Sequence, residues 1–71
     1  MWVKREELAD NEIFNDIIGK RMSREYIEQK FHRNHETPYG FFVDLIKDYY
    51  HVTLAQADRL SHKLCQHYGF E

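Results

Sequence analysis

The sequence predicts an all-α protein, a small bundle of three to four short helices around a central apolar helix at about residues 38–51. Three observations carry that prediction. Apolar residues recur at helical spacing through most of the chain, no stretch alternates with the two-residue period of a strand, and residues suited to helix N-caps stand ahead of the periodic runs.

The first nine residues contain Lys4-Arg5-Glu6-Glu7-Leu8 and fit a short helix or an arm laid over the core by Trp2 and Val3. Asp10 or Asn11 then offers a short side-chain oxygen to the free amides of a first turn, and Ile13, Phe14, Ile17 and Ile18 repeat at helical spacing. Gly19 with Lys20 and Arg21 suits the end of this helix, because glycine tolerates positive φ and cations meet the negative pole of the helix dipole. Ser23 caps a second helix with Tyr26, Ile27 and Phe31 near one face; the polar run Arg33-Asn34-His35-Glu36 ends it.

Thr37 as N-cap with Pro38 at the first helical position starts the central helix, since proline there loses no needed hydrogen bond. Between Phe41 and Tyr50 seven of ten residues are apolar or aromatic, and Asp44, Lys47, Asp48 and His51 fall on one narrow polar stripe. Thr53-Leu54-Ala55-Gln56 has the form of a capping box. The last helix follows, with Leu54, Ala57, Leu60, Leu64, Cys65 and Tyr68 as its apolar stripe, Gln56, Arg59, Lys63 and Gln66 turned away, and Gly69 as its stop. The last two helices are expected to form a helical hairpin, and residues 1–71 one small domain.

Size and charge narrow the function classes. A chain of 71 residues buries only about 60% of its unfolded surface, so homodimerisation or docking on a partner is an expected source of further stability. A formal charge of −2 gives no global drive toward nucleic acid, and no apolar run reaches the roughly 20 residues of a membrane span. The single Cys65 cannot form an internal disulfide and the N-terminal residues lack the apolar core of a secretion signal, which makes a reducing cytoplasm the expected compartment.

His32, His35, His51, His62, Cys65 and His67 are the ligand-type residues, with His32-x-x-His35 and His62-x-x-Cys65 as suggestive pairs. Their spacing matches no zinc pattern, and Cys65 already belongs to an apolar stripe, so no metal or other cofactor is expected, with a metal-supported fold on the histidines and Cys65 as a minor third reading. The carboxylate pairs Glu6-Glu7 and Asp44 with Asp48 read as solvated faces. His62 and Cys65, three apart on one helix, do not aim a base at a thiol, and no phosphate loop or nucleophile elbow occurs. An enzyme is not expected.

Thr37-Pro38, Phe41 through Ile46, Tyr49-Tyr50 and Ala57 resemble the helix pair of the ClpS protease adaptor over less than half the chain. The resemblance implies a helix pair. It does not extend to that adaptor's strands, its acidic motif is shortened to Asn34-His35-Glu36, and Cys65 stands where its amine-binding histidine would be.

The expected function is therefore a small helical protein–protein interaction module, a regulator or adaptor of a larger protein partner, a size of chain that phage and bacterial genomes often encode. Trp2, Tyr39, Tyr50 and Phe70 are the expected aromatic anchors, with Asp44, Lys47 and Asp48 as rim charges. The alternative is a nucleic-acid-binding regulator. Residues 20–33 carry a local charge of +3 from Lys20, Arg21, Arg24, Lys30 and Arg33 against Glu25 and Glu28. The outer face of the last helix, with Gln56, Arg59, Lys63 and Gln66, has the residue types of a reading helix.

Overall fold

The computed structural model describes residues 8–71 and is all-helical over that span: α1 Asp10–Gly19, α2 Arg24–Arg33, α3 Pro38–Tyr49 and α4 Leu54–Tyr68. The caps explain most of the boundaries. Ser23, Thr37 and Thr53 each accept a hydrogen bond through the side-chain oxygen from the amide three residues on, at 3.0–3.1 Å. Pro38 takes the first turn of α3. Gly69 ends α4 in the left-handed region at φ 82°, and the Phe70 amide donates back to the Cys65 carbonyl at 2.8 Å.

Several boundary expectations are corrected. The N-cap of α1 is Ala9, whose amide is satisfied from within the helix by Glu12 Oε1 at 3.1 Å, so neither Asp10 nor Asn11 is needed there. α1 does end at Gly19, but the positive φ expected there falls instead on Arg21, at 54°. Gln56 gives its backbone amide to Thr53, but its side chain donates to the Leu8 carbonyl at 3.0 Å rather than closing a capping box. The helix at 38–51 stops at Tyr49, two residues short, because Tyr50 turns extended.

The α3–α4 hairpin makes the most extensive helix contact, α2 packs on α3, and α1 rests chiefly on α4. The core is the buried stripe of each helix: Ile13 and Ile17 from α1, Ile27 and Phe31 from α2, Phe42 and Ile46 from α3, and Ala57, Leu60, Leu64 and Cys65 from α4. Tyr50 joins them. With α1 over one flank of α4 and α2 over one flank of α3, part of α3 is left facing outward.

Candidate docking surface

The expected anchors do not assemble into one patch. Tyr39 is exposed, its hydroxyl donating to Asp58 Oδ1 at 2.6 Å and its ring tilted against His62. Tyr50 is not a surface anchor: it is 2% exposed and its hydroxyl donates to Asp16 Oδ2 on α1. Phe70 is half-buried, edge-on to Phe31 with the Arg24 guanidinium 4.8 Å from its ring centre, so it serves as a lid on α2. Trp2 lies outside the described residues. The rim charges Asp44, Lys47 and Asp48 are all exposed on α3.

The alternative, nucleic-acid set is dispersed as well. Arg59 and Lys63 are exposed on α4 as expected, although each also touches α1, while Gln56 is half-buried against the residues just before α1. Gln56 bonds Leu8, Arg59 Nε pairs with Asp10 at 3.0 Å, and Lys63 Nζ sits 4.4 Å from the centre of the Phe14 ring. Gln66 alone of that set stays simply exposed. Within residues 20–33, Arg24 is drawn onto Phe70 and Lys30 onto the Tyr26 ring, Arg33 is exposed at the end of α2, and Lys20 and Arg21 stand at the α1–α2 connection.

What the fold does bring together is a groove over α2 and α3. Residues 41–50 carry two apolar ladders side by side, each stepping by four. Phe42, Ile46 and Tyr50 form the first, at 0, 0 and 2% exposure, while Phe41, Leu45 and Tyr49, each one residue earlier, form the second and are only half-buried. One residue of offset turns a side chain by about 100° around a helix. The second ladder therefore lies along the flank. Beside it Met22, Tyr26, Leu45 and Tyr49 wall a depression of about 520 Å³ whose rim holds Lys20, Arg21 and Ser23. Tyr26, at 45% exposure, is among the most exposed large apolar groups.

Leu45 and Tyr49 also border a second depression, of about 240 Å³, completed by Phe41, Asn34, Glu36, Asp44 and Asp48. Here the charge is acidic. A hydrogen bond with Asp44 is the main reason the Glu36 carboxyl is held above its usual range, with desolvation and the charge of Asp44 acting the same way. The surface thus has an apolar middle, a basic end and an acidic end.

A second polar cluster lies on the α4 flank. His62 Nδ1 is 2.8 Å from Glu71 Oε2 and its Nε2 is 3.5 Å from Asp58 Oδ1. The Glu71 hydrogen bond raises the His62 pKa against a smaller lowering by partial desolvation, with the Glu71 and Asp58 charges adding to the rise. Cys65 is buried away from His62 in the core, and burial pushes its thiol up. His32 lies against Phe31, and His35 takes a left-handed turn at φ 56°. Among the described residues no three His, Cys, Asp or Glu side chains converge to hold a metal ion, and no helix is long and apolar enough to cross a membrane.

Sequence reasoning does not single out Met22, Tyr26, Leu45 and Tyr49 as binding residues; it assigns Tyr26, Leu45 and Tyr49 to buried faces. The signal that could have found them is the doubled i, i+4, i+8 ladder of α3, wider than one neighbouring helix can cover. No family model matches this chain, and neither the curated proteins nor the solved structures contain a significant match to it.

Proposed function

We propose that the chain is a small helical protein–protein interaction module, a regulator or adaptor that binds a larger protein partner through the α2–α3 groove without catalysing a reaction. The observation supporting this reading is the second ladder: Phe41, Leu45 and Tyr49, extended by Met22 and Tyr26, form a connected apolar floor between charged ends. Such a floor suits an apolar helical face, because anchors at i and i+4 on the incoming segment meet residues spaced in the same way. The charged rims add orientation and selectivity more than affinity.

Nucleic acid fits the same surface less well. Lys20 and Arg21 border one end, but Glu36, Asp44 and Asp48 border the other and would meet phosphate with like charge. The test is site-specific photocrosslinking in extract of the source cell, with the photoreactive residue at Tyr26 and, as a control, at Gln66 on exposed α4. The expected result is one discrete adduct with a protein other than this chain from position 26, absent from position 66 and unaffected by nuclease. Equal labelling from both positions would refute the groove. An adduct lost on nuclease treatment, or one that weakens by orders of magnitude between about 50 and 200 mM salt, would replace the partner with nucleic acid.

A further inference from the structure

We propose that the groove is also self-complementary, and that in the free protein a second copy of this chain occupies it as a symmetric dimer. This goes beyond binding of a larger partner and needs no such partner to be true. The argument starts from where the charges lie. Leu45 and Tyr49 border both depressions, so they stand between the basic end at Lys20 and Arg21 and the acidic end at Glu36, Asp44 and Asp48.

A two-fold axis lying in the plane of this face, through Leu45 and Tyr49 and across the line joining the ends, has a definite consequence. It sets the basic end of each copy over the acidic end of the other and packs the apolar middle against itself. Both charged contacts then occur twice, as any isologous interface requires. A face with a single sign of charge would repel its own image in this arrangement; this one attracts it.

Area supports the same occupant. The described residues expose 4928 Å². A standard interface takes about 800 Å² from each partner, roughly one sixth of that surface. A second copy also covers half-buried Leu45 and Tyr49 and exposed Tyr26, apolar groups that the small core leaves in contact with water. A larger partner that uses this face must displace the second copy, so the dimer is a store of masked sites.

The charge pattern dictates the experiment. Arg21→Glu reverses an exposed residue of the basic end, and Asp48→Lys reverses an exposed residue of the acidic end in the last turn of α3, where a cation suits the helix dipole. Sedimentation equilibrium is run over a concentration series for the full chain, each variant and an equimolar mixture of the two variants. Circular dichroism checks that all remain folded.

The expected result is a concentration-dependent dimer for the parent chain and a dimer weakened by about tenfold or more in each variant, since every reversal acts twice. The mixture regains dimerisation. In it the glutamate introduced at position 21 of one variant faces the lysine introduced at position 48 of the other, while the unaltered Asp48 of the first faces the unaltered Arg21 of the second. A parent chain that stays monomeric up to millimolar concentration would overturn the proposal. So would a mixture no better associated than its components. Either failure leaves a crosslink to a different protein standing, and failure to capture a different protein from position 26 leaves the dimer standing.

Discussion

Replacing Tyr50 by phenylalanine removes one hydroxyl and tests whether this residue belongs to the core or to a binding surface. In the structure the ring is 2% exposed and the hydroxyl donates to the Asp16 carboxylate, tying the end of α3 to α1. A hydrogen bond to a charged group contributes about 1.5–3 kcal/mol, and Asp16 is only half-buried, so water recovers part of the loss. The expected cost of Tyr50→Phe is about 1–2 kcal/mol. Tyr50→Ala adds the cavity left by a buried ring, about 3–5 kcal/mol in comparable aromatic truncations, for a total of about 4–7. A chain of this length has a total stability of about 4–10 kcal/mol, so the alanine variant loses about half of it or more while the phenylalanine variant keeps the greater part. Urea unfolding followed by far-ultraviolet circular dichroism reads both. With a slope near 1 kcal/mol per molar for a small protein, Tyr50→Phe lowers the midpoint by about 1–2 M. A surface residue behaves otherwise: its truncation stays within about 0.5 kcal/mol. An unchanged midpoint for Tyr50→Ala would refute the buried placement and restore Tyr50 as a docking anchor.

Two further predictions follow from single side chains. Ser61 is fully buried on α4 and its Oγ has no hydrogen-bond partner among the described residues, so Ser61→Ala is expected to raise stability by about 1 kcal/mol; a destabilised variant in the same urea series would mean the hydroxyl is satisfied. His62 has a folded pKa raised mainly by Glu71, above the ordinary value of about 6.5. The sign follows from linkage: its stabilising contribution is fully present below the unfolded pKa and is lost as the pH rises through the folded value. An NMR titration of the ring should therefore give a midpoint above that of an unperturbed histidine, moving down in Glu71→Gln; a midpoint indifferent to that change would remove Glu71 as the cause.

The helices are legible in the sequence because their signals are local. Ser23, Thr37 and Thr53 need only a side-chain oxygen ahead of a periodic run, and Gly69 only the absence of a Cβ at a left-handed position. The first cap is not legible, because Asp10 has a better use elsewhere: Arg59, distant in sequence, pairs with it and holds its carboxyl below the usual range. Gly19 does mark the end of α1, but the left-handed turn comes two residues later. Where the positive φ falls depends on what the next segment packs against, and here α2 begins only after Arg21 has made the turn.

The site is harder to read than the fold because it depends on which of two adjacent ladders a neighbour covers. The sequence shows Phe41-Phe42, Leu45-Ile46 and Tyr49-Tyr50 as three apolar pairs in step, without stating which member of each pair is inside. Tertiary packing settles it. The hairpin with α4 and the Tyr50–Asp16 bond turn the second member of each pair inward, so the first is carried to the flank together with Tyr26. The same rotation places Asp44 and Asp48 at one side of that flank and leaves Lys20 and Arg21, contributed by the α1–α2 connection, at the other. Tyr50, buried where it sits, adds its tie to Asp16 to the α3–α4 packing that carries Leu45 and Tyr49 to the flank, and a change at Tyr50 that loosens this end of α3 is expected to weaken docking at the proposed groove, which its side chain does not line.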